Sequence, residues 1–450
     1  MAREFLPYDL DQQYLLPPSL RDWVPEGHLV WFVSDLVDSL DLSAILSTYG
    51  TDETRGRAGY HPLMLTKLLI YAYAVGKPSS RRIERACLEE VPFRVLSADQ
   101  HPDHDTIADF RHRHLAALAD LFSQVLVLCR QAGLIKLGHV AIDGTKVRAN
   151  ASRHKAMSYG RMCAAEEELA AEVARLLAEA ERIDAGEDAR YGDARGDELP
   201  EELATREGRL RKIREAKAAL EEQARERAAA GAESAAKHQK EREAKEAERG
   251  RKFGGRRPVV PDPETARPRD KEQRNFTDPE SRIMIDGATG SFVQAYNVHA
   301  AVEGDSQVIL AASVTQQAND LRSFLPLLER IEDSLGGMPE QVSADSGFFS
   351  ERNLSDARLD GVECYVPPER RVTTPLASAM RMKLLSEKGE AVYRMRKAIV
   401  EPVFGQIKEA RNFRRFSLRG LEAVGHEWEL VCLTHNILKL FRAGASPNHV

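Results

Sequence analysis

The chain has 450 residues, 42% hydrophobic and 30% charged, which is enough apolar material for two or three domains and argues against a disordered chain. Lys and Arg number 64 against 70 Asp and Glu, a net charge of −6, so a nucleic-acid face cannot come from the total and has to come from local distribution. Five scattered cysteines without a C-x-x-C argue against a disulfide framework or a cysteine zinc site, and the lack of a long apolar run or signal-peptide core makes a cytoplasmic protein the expectation.

The first 135 residues predict helices. In "HPLMLTKLLIYAYAVGK", Met64, Leu65, Leu68, Leu69 and Tyr71 share one face, with Pro62 in the first turn and Gly76 at the exit. "SSRRIERACLEEVPFRVL" offers Ser79 or Ser80 as N-cap. From the cap candidate Asp105 to Gly133, Ile107, Phe110, Leu118, Phe122, Val125 and Cys129 recur at three- and four-residue steps. A small helical bundle results. Its arginines (Arg81, Arg82, Arg85, Arg94, Arg111, Arg113) make either a DNA-facing surface or an ordinary solvated one. The histidines His101, His104, His112 and His114 do not make a zinc site: two fall in a turn, and two residues at spacing two diverge on a helix.

From 139 the pattern turns to strands: "HVAIDGTKV", then a hairpin from 291–304 and 307–315, then 341–349 and 362–368. A helix over "NDLRSFLPLLERIEDSLGG" is capped by Asn319 or Asp320, and "GEAVYRMRKAIVEPVFGQIKEARNF" is helical with a break expected at Pro402. Mixed strands and helices predict an α/β sheet flanked by helices over 136–152 and 280–442. Residues 153–279 interrupt it. Leu169, Val173, Leu176, Ala180 and Ile183 form a heptad seam; "GEDARYGDARGDELP" breaks it; Leu203, Leu210, Ile213, Leu220 and Ala224 resume it. This reads as an antiparallel helical hairpin over about 160–228. A charged, proline-dotted flexible linker follows, with a basic cluster at Arg249, Arg251, Lys252, Arg256 and Arg257.

The chemistry concentrates at strand ends. In "HVAIDGTKVRAN" an apolar run delivers Asp143 where a hydrophobe would continue. A buried carboxylate needs a proton, a salt-bridge partner or a cation. "VSADSGFF" repeats the arrangement at Asp345. Two converging carboxylates repel unless something positive lies between them, and oxygen-only ligands suit Mg²⁺ or Mn²⁺. A strand-end Asp can also simply cap a turn. A third carboxylate, Glu401, lies amid Ile399, Val400, Val403 and Phe404, and it steps by seven, three and four to Lys408, Arg411 and Arg415. That row suits either a metal site beside a phosphate backbone or a surface ion-pair row.

Taken together, these segments resemble the DDE-type transposases of bacterial insertion sequences. The similarity is carried by "YHPLMLTKLLIYAYAVG", "SSRRIERAC", "DHDTIADFRHRH", "AIDGTKVRANAS", "FTDPESR", "YNVHAAVE", "ANDLRSFLPLLER", "ADSGFFSERNL" and "VEPVFGQIKEARNFRRFSLRGLEAVGHEWELVCLTHNILKL". The resemblance implies a ribonuclease H-like catalytic core behind an all-α N-terminal DNA-binding domain. It makes Asp143, Asp345 and Glu401 the catalytic and metal-binding triad for two Mg²⁺ or Mn²⁺ ions. The family's tyrosine–arginine–glutamate–lysine signature falls on Tyr393, Arg396, Glu401 and Lys408, with Arg396 one residue further from the glutamate than usual and Lys397 in the strict place. Tyr393, Arg396, Lys397, Lys408, Arg411 and Arg415 are DNA-binding candidates, and Arg394, Arg396, Lys397, Lys408, Arg411, Arg414, Arg415 and Arg419 are expected to form a basic strip beside the triad. The implied partners are terminal inverted repeats and target DNA, with a homodimer in the active complex and a nucleoid-associated location. The alternative is a catalytically silent DNA-binding regulator of the same descent.

Overall fold

The computed structural model describes residues 19–49, 59–151, 156–191, 201–251, 259–287 and 289–445, without the side chains of 176–191 and 201–205. In chain order, helices α1 (Leu29–Ser39), α2 (Pro62–Ala74), α3 (Ser80–Glu89), α4 (His104–Arg113) and α5 (Leu115–Gln131) precede strand β1 (His139–Arg148). Strand β2 (Ala156–Ser158), helices α6 (Tyr159–Tyr191) and α7 (Glu201–Arg249), and strands β3 (Gln273–Asn275) and β4 (Arg282–Ile285) follow. The chain closes with β5 (Phe292–Glu303), β6 (Ile309–Thr315), α8 (Phe324–Leu335), β7 (Gln341–Ala344), β8 (Glu363–Tyr365), α9 (Pro375–Leu385), α10 (Glu387–Gly405) and α11 (Leu421–Arg442). It divides into two units, Met1–Arg148 with Tyr296–Val450, and Ala149–Ala295.

In the first unit the helices begin where local chemistry directs. Pro62 opens α2, and His61 caps it by accepting from the Leu63 N–H at 3.2 Å. Asp103, not Asp105, caps α4, accepting from Thr106 N–H at 2.7 Å. Helix α2 is buried almost all round rather than on one face, because α1, α4 and α11 all pack on it. Helix α5 packs on α11 as well, so the N-terminal helices share a core with the C-terminal one. Polar groups also cross that core. Glu427 of α11 is fully buried and accepts from the Tyr73 hydroxyl (2.8 Å) and from the backbone N–H groups of Ser417 and Leu418 (3.0 and 3.1 Å).

The sheet is mixed. Its order runs β5–β1–β7–β8, with β6 antiparallel to β5, and β1, β7 and β8 mutually parallel. Helix α10 packs on β1, β7 and β8, and α8 and α11 pack on β6. Strand β7 stops at Ala344, shorter than expected, because the chain turns at once into a 3₁₀ turn over Ser346–Phe348. The break expected at Pro402 does not occur: α10 continues through it to Gly405. Proline removes the N–H that the Ala398 carbonyl would have accepted. The Gln307 side-chain amide donates to that carbonyl instead, at 3.1 Å. The irregularity falls later, as a π turn over Gln406–Ala410.

The second unit is built on the helical pair α6 and α7. Contacts run in opposite order along the two helices: Tyr159 to Glu221, Glu166 to Lys217 and Arg214, Glu172 to Arg206. The pair is therefore antiparallel. Met162, Leu169, Val173, Leu210, Ile213, Ala216 and Leu220 form its seam. The seam positions Leu176, Ala180, Ile183 and Leu203 lie outside the described side chains, and Lys252, Arg256 and Arg257 outside the described residues. Helix α7 runs on to Arg249, well past the end expected at 228. Residues 229–249 are rich in Ala, Glu, Lys and Arg, all good helix formers, and ion pairs such as Arg242–Glu246 (2.9 Å) line the exposed turns. Short strands complete the unit, with β2 antiparallel to β3, and β4 antiparallel to the first residues of β5.

Candidate active site

Val140, Ala141 and Ile142 of β1 are fully buried and pair in parallel register with β7, ending at Ile142 opposite Ala344. The next residues on the two strands are Asp143 and Asp345, so the parallel ladder delivers both carboxylates to the same edge. Each is also tied locally. Asp345 Oδ1 caps the following turn, accepting from Gly347 N–H at 2.9 Å, and Asp143 Oδ1 accepts from Gly144 N–H at 2.8 Å.

What lies beside Asp143 is an arginine. Arg396 of α10 donates to Asp143 Oδ2 at 2.9 Å, and the side chains are 9% and 20% exposed. Burial still pushes the Asp143 carboxyl above its ordinary range. Arg396 and the Gly144 N–H oppose the shift, and the nearby charge of Asp345 adds to it. One guanidinium thus faces two carboxylates, and the edge is short of positive charge. The Tyr393 ring lies 5.8 Å from the Arg396 guanidinium carbon. Burial raises its phenol, Arg396 opposes that, and Asp345 and Asp143 add to the rise, so the hydroxyl sits in the same field.

Across β1, Gly144 and Lys146 alternate with Asp143 and Thr145. A β-carbon at Gly144 would stand 2.7 Å from His299 Cδ2 and 2.9 Å from Asp320 Oδ1, so no larger residue fits. The small neighbour of Asp143 makes room for side chains of the protein itself. Asp320 is not the cap of α8; that position belongs to Ser323. Its carboxylate accepts instead from Asn297 Nδ2 (2.6 Å) and pairs with His299 Nε2 (2.9 Å), with Lys146 Nζ at 3.7 Å. These contacts hold its pKa below the ordinary value although burial pushes the other way.

The remaining candidates fall in different places. Glu401 is exposed on α10, and among the described residues no three Asp, Glu, His or Cys side chains converge as ligands of one ion. The fold therefore joins Asp143 to Asp345 but does not bring Glu401 into a common coordination sphere with them. Lys408 donates to Thr145 Oγ1 (2.5 Å) and the Lys146 carbonyl (2.9 Å), which ties the π turn after α10 to β1 just past Asp143. Arg411 is buried, contrary to a place on a DNA-facing strip. The π turn that precedes it rotates it off the face that regular helical steps would give. Its Nη1 donates to Thr434 Oγ1 (2.8 Å), and burial pulls its pKa down to about 10. Gly76 packs directly on its backbone, where a β-carbon would lie 2.6 Å from the Arg411 carbonyl oxygen. Arg394, Lys397, Arg414, Arg415 and Arg419 are exposed.

Sequence reasoning missed Lys146, Asn297, His299 and Asp320 as parts of this edge. The signal was present in "YNVHAAVE": Asn297 and His299, two apart on a fully buried strand, are the same anomaly that singled out Asp143.

The class so defined is a mixed α/β protein with two carboxylates brought together where the pairing of neighbouring parallel strands ends, beside a basic helix and behind a helical N-terminal region. Two family models match the chain: a transposase domain over residues 18–113 and a transposase DDE domain over residues 366–441. The two matches support an insertion-sequence DDE transposase. No curated protein and no solved structure gives a significant match. Among the described residues no helix is long and apolar enough to cross a membrane.

Proposed function

We propose that the protein is a DNA transposase that cleaves at the terminal inverted repeats of an insertion sequence and joins the 3′-hydroxyl ends to target DNA, on a ribonuclease H-like core spanning 136–152 and 280–442. The observation that carries this reading is the juxtaposition of Asp143 and Asp345, each the first residue past the last paired position of the β1–β7 ladder. Transposase DDE chemistry implies divalent metal, and the donor set suits it. The two carboxylates offer hard oxygen ligands that face one guanidinium between them, and burial already disfavours the ionised form of Asp143. Asp143 and Asp345 would hold Mg²⁺ or Mn²⁺, with Glu401 as third carboxylate, on the strength of the DDE match and of its place on the helix that brings Arg396 to Asp143. Metal held there would supply activation of an attacking oxygen and stabilisation of a leaving 3′-oxygen.

The protein's own groups do the rest. Arg396 and Tyr393 flank the carboxylates and supply donors to a phosphate. Lys408 fixes the π turn after α10 against β1. Exposed Lys397 and Arg415 extend a basic surface along the backbone of double-stranded DNA, with the helical N-terminal domain (1–135) as a second DNA contact. A homodimer and a nucleoid-associated location complete the reading. A catalytically silent regulator is the weaker reading, since both Asp143 and Asp345 are present and lie side by side past the β1–β7 ladder.

The test is a joining assay. A labelled oligonucleotide carrying the terminal repeat that flanks the coding sequence is incubated with supercoiled plasmid and Mg²⁺. Covalent transfer of label to plasmid is the expected result. Cleavage without transfer would make the protein a nuclease, and neither product would make it a regulator.

A further inference from the structure

We propose that Asp320 is a positioning residue for the carboxylate pair: wedged between the two segments that carry Asp143 and Asp345, it sets their spacing and so the affinity of the edge for a divalent ion. The inference rests on the metal-site reading above.

The backbone ladder between β1 and β7 ends at Ile142 and Ala344, one residue before the two carboxylates. Beyond that point β-sheet hydrogen bonds no longer set the separation of the chains, and something else must. Asp320, in the connection between β6 and α8, is placed to do so. Its Oδ1 lies 2.9 Å from where a β-carbon at Gly144 would be, directly after Asp143. Its Oδ2 lies 3.1 Å from where a β-carbon at Gly347 would be, and Asp345 Oδ1 is 3.1 Å from that same point. Gly347 is also the residue whose N–H holds Asp345. One carboxylate therefore packs against both glycines, and each glycine is the immediate support of one aspartate.

Asp320 itself cannot drift. Asn297 and His299, both fully buried on β5, fix Oδ1 from behind at 2.6 and 2.9 Å. Lys146 approaches from β1. Buried Asn353 staples the flanks, donating to the carbonyl of Leu321, next to Asp320, at 2.8 Å and to that of Phe348, next to Gly347, at 3.0 Å. With Oδ1 taken up by protein donors, Asp320 acts through its neighbours rather than as a ligand of the pair's ion. Outer partners of this kind tune metal affinity because they orient the groups that bind.

The experiment is Mn²⁺ binding to the full-length protein, followed by electron paramagnetic resonance of the free ion, with thermal unfolding recorded in parallel. Asp320→Asn and Asp320→Ala should each weaken Mn²⁺ binding by roughly 10- to 100-fold while the protein still unfolds cooperatively. Gly347→Ala should also weaken binding, since its β-carbon would press on both Asp320 Oδ2 and Asp345 Oδ1. If Asp320→Ala does not fold, Asp320→Asn, which keeps the volume, carries the measurement. A shifted unfolding midpoint with unchanged Mn²⁺ affinity in Asp320→Asn would overturn the proposal. Wild-type protein that takes up no Mn²⁺, or whose uptake survives Asp143→Asn, would instead sink the metal-site reading. Uptake lost in Asp143→Asn but intact in Asp320→Asn would overturn only the role of Asp320.

Discussion

Asp143→Asn is expected to lower Mg²⁺-dependent strand cleavage by at least about 10³-fold while DNA affinity stays within a few-fold of wild type. Metal-assisted phosphoryl transfer places several kcal/mol of charge stabilisation in its ions, and each ~1.4 kcal/mol is a factor of ten in rate. Asn keeps the size of the side chain and an acceptor for Arg396 but removes the charge that a hard cation needs. It also leaves Arg396, only 7% exposed, facing Asp345 alone. DNA binding is expected to persist because the exposed cations Lys397 and Arg415 are untouched. Gel-shift titration and a cleavage time course on the same protein separate the two effects. If Asp143→Asn cleaves within about tenfold of wild type, Asp143 is not a ligand of the catalytic ion.

The second large effect lies away from the carboxylate edge. Glu427→Ala should cost roughly 3–5 kcal/mol of stability, because it leaves the Tyr73 hydroxyl and the N–H groups of Ser417 and Leu418 without their buried acceptor. Glu427→Gln should cost much less, since one oxygen can still accept. The sign of the pH dependence follows from burial, which is the main cause of the raised Glu427 pKa. The folded protein keeps this proton to a higher pH than the unfolded chain, whose value is near 4.5. The group's contribution is therefore full below that value and is lost as pH rises through the folded pKa. The stability of wild type relative to Glu427→Gln should fall as pH rises above 4.5. Urea unfolding at several pH values measures it, and a difference that grows with pH would contradict the buried, proton-holding Glu427.

Where patterns are local, the sequence and the structure agree. The Val140–Ile142 run, the hairpin at 291–315 and the heptad seam around Leu169 and Leu210 each depend on a short period, and each appears as an element. Asp345 was legible for the same reason, since it follows the end of β7, whereas β1 runs on through Asp143 to Arg148 and only its pairing with β7 stops at Ile142. What was not legible depends on long-range partners. Helix α10 passes through Pro402, and Gln307, 91 residues from Ala398 in the chain, covers the orphaned Ala398 carbonyl. Arg411 leaves its expected face because a π turn breaks the 3.6-residue period on which that face was drawn. Asp320 looked like a helix cap, since Asp before an apolar helix usually is one. Its true partners, Asn297 and His299, sit on a strand that periodicity reads as hydrophobic. The N-terminal arginines illustrate the same limit: Arg111 turns inward to the Pro78 carbonyl (2.6 Å), which no helical wheel indicates.

The central claim is that Asp143 and Asp345 form one divalent-ion site, and the most direct measurement is anomalous X-ray scattering from crystals grown with Mn²⁺. The expected result is an anomalous peak between the two carboxylates, with Arg396 displaced from Asp143 Oδ2 and Glu401 drawn toward the ion. Crystals in which Arg396 still pairs with Asp143 and manganese is absent from this edge, or bound elsewhere, would contradict the account.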